Sequence, residues 1–269
     1  MSHSKRVIVI GDVHGCLVEL QELVARLQVN DDDRVIFLGD LLDKGPYPFE
    51  TLRYMRFGLG PETGAEVDCV ASNHEHHHAR KWRRREAQRL HGTEDNTKPW
   101  HDPQEETVNR LLREDDVSWI EARPPWLEVV PGWVAVHAGF DPRVKLAEQD
   151  PDKVRNMRWI DRVTGSRVPV DYDDPARKAG PPTPDATHWT DLWRGPESVV
   201  YGHEAFSLSR PRFTCLQETD RPVRTLGIDT GCVHGGHLTA AVFASDSDFV
   251  TPVQVKAKQV YLPNPLIPE

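Results

Sequence analysis

Short runs of aliphatic and β-branched residues mark the first third of the chain, each closed by glycine or a polar turn. Arg6 to Ile10 (RVIVI) stops at Gly11, the pattern of a strand buried on both faces. Arg34 to Leu38 repeats it and stops at Gly39-Asp40, and Val67 to Ala71 is a third such run. Between them the period changes. Leu17, Leu20, Leu23, Val24 and Leu27 recur at helical spacing and predict an amphipathic helix laid on a sheet. A second helix is predicted over Phe49 to Phe57. Strand, loop and helix alternate, as in a layered α/β core.

Further on, the pattern predicts a helix over residues 74–90. It opens with His74, His76, His77 and His78 and continues with Arg80, Lys81, Arg83, Arg84 and Arg85. Residues 91–103 are polar and aperiodic, a loop or lid, and Thr107 to Ile120 reads as one helix. Leu127 to Val130 and Trp133 to Val136 are strands around a Pro131-Gly132 turn. The proline-rich stretch at about 164–187 reads as a long loop. Val199-Val200, Thr225 to Ile228, Leu238 to Phe243 and Phe249 to Val253 read as strands. Leu262 to Glu269, with three prolines, reads as a tail across the surface. A helix-rich half followed by a strand-rich half predicts two packed sheets between helices. The expectation is one domain over residues 1–269, with a basic helix and loop inserted at about 76–105.

Composition narrows the partners. The 269 residues carry a formal charge of -9, which argues against a general nucleic-acid coat protein. It leaves room for a polyanionic substrate, because metal ions reverse the field within one pocket. Cys16, Cys69, Cys215 and Cys232 form no CxxC pair, which suits a reducing compartment. Val7 to Ile10 is too short for a signal peptide, and no apolar run approaches a membrane span. A cytoplasmic protein is expected, with no membrane association and no obligate protein partner.

The chemistry lies where the strands stop. The first ends in Gly11-Asp12-Val13-His14-Gly15, the second in Gly39-Asp40-Leu41-Leu42-Asp43-Lys44-Gly45, and the third runs into Asn73-His74-Glu75. His137 follows the strand-like Val134 to Val136, and His203 follows Ser198 to Tyr201. In open α/β sheets, ligands bind beyond the carboxyl ends of the strands. Oxygen and nitrogen donors in this mixture suit Mn, Fe, Zn or Mg. The set is too large for one ion. Two ions about 3.5–4 Å apart, sharing one carboxylate, can hold a hydroxide for in-line attack on phosphorus.

GDVHG, GDLLDKG, SNHE, VHAGF and YGHE, followed by IDTGCVHGG, resemble the calcineurin-like metallophosphoesterases over about residues 6–245. More narrowly they resemble the phosphoprotein phosphatase group that includes the bacterial diadenosine tetraphosphatases. The resemblance implies a fold of two mixed β-sheets flanked by helices. It implies two divalent or mixed-valence metal ions, with manganese the first to supply in vitro and Fe, Zn or Mg as alternatives. Asp12 and His14 would bind the first, Asp40 would bridge both, and Asn73, His137 and His203 would complete the second. His74 would be the general acid. Asp43 would orient it and raise its pKa.

Three positions depart from the family pattern. Ser72 replaces the glycine before Asn-His-Glu. Lys44 stands where the protein phosphatases carry arginine. Cys69-Val70-Ala71 lack the family's arginine ahead of the third block. Lys44 is therefore the expected phosphate contact, with Arg158, Arg162 and Arg194 as candidate clamps. His78, four residues from His74, is expected near the acid. The run Arg80 to Arg85, with Arg89, is either a solvated helix face or a collar that steers a nucleoside polyphosphate, a capped RNA end or polyphosphate. Trp82 and Trp100 either stack a base or belong to the core. Cys232 is expected to be buried and inert, and His234 and His237 to lie outside the ligand set. The leading expectation is hydrolysis of a phosphoanhydride in a dinucleoside polyphosphate or related nucleotide. The alternatives are a serine/threonine protein phosphatase or broad phosphomonoesterase, and a silent binding module.

Overall fold

The computed structural model describes residues 6–92, 100, 102–170, 180–216, 222–244, 250–264 and 266–267. In chain order the first part runs β1 (Arg6–Ile10), α1 (Leu17–Leu27), β2 (Asp33–Phe37), α2 (Pro48–Phe57), α3 (Leu59–Thr63), β3 (Glu66–Cys69) and α4 (Asn73–His91). Then come α5 (Pro103–Leu111), α6 (Glu114–Glu121), β4 (Trp126–Val130), β5 (Trp133–Val136), β6 (Trp159–Asp161), β7 (Arg167–Val168) and β8 (Ala186–His188). The chain closes with β9 (Ser198–Tyr201), β10 (Arg212–Leu216), β11 (Val223–Gly227), β12 (His237–Phe243) and β13 (Val250–Lys256).

Two five-stranded mixed sheets carry the architecture, ordered β13-β12-β1-β2-β3 and β10-β11-β9-β5-β4. Each has three parallel strands, β1-β2-β3 and β11-β9-β5, extended by antiparallel neighbours. The alternation within β1 shows how the layers form. Ile8 and Ile10 face Leu20 and Leu23 of α1 in the helix layer, whereas Val7 and Val9 face Val200 and Leu226 of the second sheet. The outer face of that sheet, through Val134, Val136, Val199 and Tyr201, packs on Phe140, Met157, Trp189 and Trp193. The small sheet β7-β6-β8 joins this side through Ile160 of β6.

The predicted α/β class and the packed sheets are both present. Four local readings change. The helix expected over Thr107 to Ile120 is two, because Leu112 is extended and buried. The Asp116 carboxylate then accepts the Arg113 backbone N–H and starts α6. The proline-rich stretch contains two short strands, β7 and β8, and the pattern had not marked β6 or β10 at all. These strands are two to five residues long, too short to show a period. Residues 93–99 and 101 of the expected lid, 171–179 of the proline-rich loop and Phe249 lie outside the described residues. The C-terminal stretch does more than cross the surface: Leu262, Asn264, Leu266 and Ile267 wall the main cleft. No helix among the described residues is long and apolar enough to cross a membrane.

Because β1 is buried on both faces, substitutions on either face should destabilise. Ile8→Ala is expected to cost about 2–5 kcal/mol. Val9→Ala, losing two methylene equivalents, is expected to cost at least about 1.5 kcal/mol. Urea unfolding of the two variants tests this, and a near-neutral Val9→Ala would mean the two sheets are not packed as described.

Candidate metal centre

All six parallel strands run toward one edge, and each hands a polar residue to it. Asp12 follows β1, Asp40 follows β2, Asn73 and His74 follow β3, His137 follows β5, His203 follows β9 and Asp229 follows β11. The loops interlock. The Asp40 carbonyl accepts the backbone N–H of Val13 at 3.1 Å and of His14 at 2.7 Å. The His137 carbonyl accepts Gly202 N–H at 2.8 Å. Glu75, buried in the first turn of α4, accepts the backbone N–H groups of Asp40, Leu41 and Leu42 at 3.0, 2.9 and 2.8 Å. The Ser72 hydroxyl donates to the same carboxylate. Ser72 is extended, with φ -124°, so replacing the family's glycine costs no backbone strain here.

The site is held in strained backbone. Among the described residues, six non-glycine positions have positive φ: His14, Asp40, Asp43, Lys44 and His203 at this edge, and Gln28 at the end of α1. Each such residue costs of order 1–3 kcal/mol and persists where packing over-determines it. Gly202 is fixed by contact. A Cβ there would lie 2.0 Å from Asp12 Oδ1, far inside van der Waals contact distance.

Two groups of donor atoms meet at Asp40: His14, Asp40 and His74 form one, and Asp40, His137 and His203 the other. His14 Nδ1 donates to the Leu42 carbonyl at 3.0 Å, so its Nε2 lone pair faces Asp40 Oδ2 at 3.4 Å. His137 Nδ1 donates to the Leu38 carbonyl at 2.7 Å, so its Nε2 lone pair faces Asn73 Oδ1 at 2.7 Å and Asp40 Oδ1 at 3.4 Å. His203 Nδ1 lies 3.0 Å from that nitrogen, and the buried His203 Nε2 has no hydrogen-bond partner. Lone pairs converging on one another, as at Asn73, His137 and His203, repel unless a cation lies among them; at His14 the Lys44 Nζ takes that position. The donor set therefore fits divalent metal, and Asp40 fits the shared position. Asp12 receives the His203 backbone N–H on both oxygens at 3.0 Å.

Electrostatics agree. Burial lowers the pKa of His14, His137 and His203, against the raising effect of Asp40 on His14 and His137. The three imidazoles are thus available as neutral ligands. Burial, Asp229 and Asp40 push Asp12 well above the usual carboxylate range. Asp40 itself is held below that range despite burial, by the imidazoles around it, His137 first. Burial works to lower His74, but Asp40, followed by the Asp43 hydrogen bond, outweighs it and raises the pKa. Asp43, expected to raise His74, does so both by hydrogen bond and by charge, with Asp40 acting beside it.

His74 Nδ1 lies 2.7 Å from Asp43 Oδ2, the pairing that the family resemblance implies. Lys44 Nζ reaches His14 Nε2 at 2.8 Å. Arg158 lines the same cleft, of about 840 Å³, and donates to the His203 carbonyl at 3.2 Å. The other two arginines are elsewhere. Arg162 is exposed beyond β6 and does not line the cleft. Arg194 lines a separate cavity of about 760 Å³ at the starts of β5 and β9, the opposite end of the sheet. Its place in the loop before β9, rather than after it, is the reason. The basic run is also absent from the cleft lining. Arg83 pairs with Glu121 at 2.8 Å, Arg89 with Glu86 at 2.5 Å, and Arg85 donates to the Asn109 carbonyl. Trp82 packs on the core and donates to the Leu112 carbonyl. Trp100 stacks on His78 with centroids 4.7 Å apart.

Sequence reasoning assigned no role to Asp229, Glu75 or Asn109, although the resemblance places the turn that holds Asp229 near the second metal. Asp229 had the same signal as the others, a carboxylate just past a strand. Cys232 is buried, and its thiol is pushed up by Cys16 and burial. His234 lines the cleft while its Nδ1 meets the Leu262 carbonyl, and His237 Nδ1 meets the Leu208 carbonyl.

A family model described as calcineurin-like phosphoesterase matches residues 5–216. A bis(5'-nucleosyl)-tetraphosphatase PrpE [asymmetrical] of Halalkalibacterium halodurans is 30% identical over 247 residues, 87% of this chain and 89% of that protein. Its namesake in Geobacillus thermodenitrificans is 27% identical over 267 residues, 95% of this chain and 96% of its own. Among solved structures, one assigned provisionally to a diadenosine tetraphosphatase superposes with a TM-score of 0.66 at 24% identity, over 95% of both chains. A serine/threonine phosphatase from Saccharomyces cerevisiae gives 0.51 at 17% identity, over 98% of this chain and 82% of that one. At these identities the two structures establish the fold.

Gly202→Ala is expected to displace Asp12 and lower the manganese retained per chain after desalting, measured by elemental analysis. Gly60→Ala, whose Cβ would have its nearest neighbour at 3.4 Å, is expected to retain as much as the parent. Equal retention by the two variants would remove Asp12 from the metal centre.

Proposed function

The chain belongs to the calcineurin-like phosphoesterase family of metal-dependent phosphatases, and we propose that it hydrolyses dinucleoside polyphosphates asymmetrically at a dinuclear metal centre. The observation that carries the mechanism is Asp40, whose two oxygens face separate imidazole groups, His14 and His74 on one side and His137 on the other. The substrate class comes from the names of the PrpE relatives, which align over nearly the whole chain.

Asp12, His14, Asp40, Asn73, His137 and His203 would hold the metals. Manganese is our first choice for assay, and Fe, Zn or Mg would suit the same nitrogen and oxygen donors. Two such ions supply Lewis acidity and a water of lowered pKa. The residues of the chain do the rest. Lys44 and Arg158 face the cleft as cations and orient the polyphosphate. His74 presents Nε2 to the cleft and carries the proton for the leaving oxygen. Asp43 holds the opposite nitrogen, which fixes the tautomer as a carboxylate orienter does. The phosphoryl group passes to water without a covalent enzyme intermediate. Neither Arg162 nor Arg194 has a part, and the helix arginines do not form a collar at the cleft.

Incubation of the manganese-loaded protein with diadenosine tetraphosphate should yield ATP and AMP by chromatography. Two ADP would keep the hydrolase and reverse the predicted bond. Dephosphorylation of a phosphoserine peptide beside an untouched dinucleotide would replace the substrate class. His74→Asn should lower kcat by about 10²–10⁴-fold, the range of a general acid, with KM little changed. An unchanged kcat would dismiss His74 as the proton donor.

A further inference from the structure

We infer that His78 and Asn109 position the proton donor, by locking Asp43 and through it the ring of His74. The inference rests on the reading of His74 given above. Asp43 is a buried carboxylate, and each of its oxygens meets a different imidazole. Oδ2 lies 2.7 Å from His74 Nδ1, and Oδ1 lies 2.7 Å from His78 Nε2. His78 sits one helical turn beyond His74 on α4, so both rings come off one face. It is wholly buried.

The proton on His78 can be placed from its neighbours. Asn109 of α5, also buried, has its Nδ2 at 2.9 Å from the His78 carbonyl. A carbonyl only accepts, so the amide group there is the NH₂. The same nitrogen lies 3.2 Å from His78 Nδ1, and its second hydrogen satisfies that atom. Nδ1 is therefore the acceptor, and the proton of the neutral ring sits on Nε2, aimed at Asp43. Trp100 stacks on the His78 ring at an interplanar angle of 28°. Gln104, at the start of α5, donates to the Gly45 carbonyl at 2.7 Å, two residues past Asp43. Helix α5 thus braces the Asp43 loop from behind.

With both oxygens engaged, Asp43 cannot rotate without breaking one hydrogen bond. His74 is then held with Nδ1 toward Asp43 and Nε2 toward the cleft. The positioning therefore extends along His74, Asp43, His78 and Asn109. A purely structural role, gluing α5 to α4, would make the same contacts. It would not distinguish between leaving groups.

The test uses the full-length, manganese-loaded protein with two aryl phosphates that differ in leaving group. p-Nitrophenolate departs with little protonation, whereas phenolate needs a proton donor. His78→Leu should lower kcat on phenyl phosphate by about tenfold or more, and by at least about fivefold less on p-nitrophenyl phosphate, with KM alike. His78→Gln, whose amide N–H can reach Asp43, should recover most of the phenyl phosphate rate. Equal losses on both esters, or no recovery with Gln, would overturn the inference. Should His78→Leu not fold, Asn109→Leu leaves the imidazole in place, removes the donor that fixes Nδ1 as the acceptor, and should give the same leaving-group bias. Nitrogen-15 NMR of the histidines is independent of turnover. It should find His78 protonated on Nε2 and bare on Nδ1. The opposite tautomer would overturn the positioning. If the wild type turned over no phosphate substrate, the proposed function would fail, and the NMR result would still decide the placement of the His78 proton.

Discussion

The structure depends on a concentration of negative charge and lone pairs buried at one sheet edge. Asp12, Asp40, Asp43 and Glu75 are all buried there. An isolated buried carboxylate would neutralise itself rather than stay charged. Here the outcome differs oxygen by oxygen. Asp40 and Asp43, which meet imidazoles, stay ionised well below the usual range despite burial. Asp12, which meets backbone N–H and other carboxylates, is pushed up, and burial with Asp40 does the same to Glu75. The imbalance is an electrostatic demand that divalent cations would satisfy.

That demand shapes the backbone. Strands end where their side chains must turn inward, and five of the turning residues are non-glycine residues in left-handed conformation. Glycine would adopt those angles more readily, but it offers no ligand. The cost is tolerable because the two sheets beneath are close-packed, with Ile8, Val9, Ile10 and Ile36 fully buried. Glu75 ties the strained Asp40–Leu42 loop to the start of α4 through three backbone N–H groups. One helix turn therefore carries Asn73 and His74, proposed as metal ligand and proton donor, together with the clamp on the Asp40 loop.

Helix α4 divides its work along its length. Its first two turns serve the site through Asn73, His74, Glu75 and His78. Its later turns serve the fold, with Arg83 paired to α6 and Arg85 bonded to the end of α5. Charge read along a sequence does not say which way a guanidinium points, and a basic run on a helix is commonly taken up by acidic neighbours. The cleft draws its walls instead from Trp159, Phe206 and the C-terminal Leu262, Leu266 and Ile267.

The sequence by itself determined the strand-end chemistry. β-branched runs closed by Gly-Asp, Asn-His and His placed Asp12, Asp40, Asn73, His137 and His203 on one edge, because a strand delivers its next residue to a fixed place. Helical spacing likewise put His78 beside His74. What the tertiary structure decided was everything that depends on approach between distant segments. Asp229 joins the edge only because β11 runs parallel to β9 in the second sheet. Asn109 reaches His78 across 31 positions because α5 docks on α4. Arg158 enters the cleft and Arg194 does not, since one precedes the small sheet's first strand and the other lies before β9 at the far end. Ligand residues follow from local periodicity, which the sequence contains; their supports and clamps follow from packing, which it does not spell out.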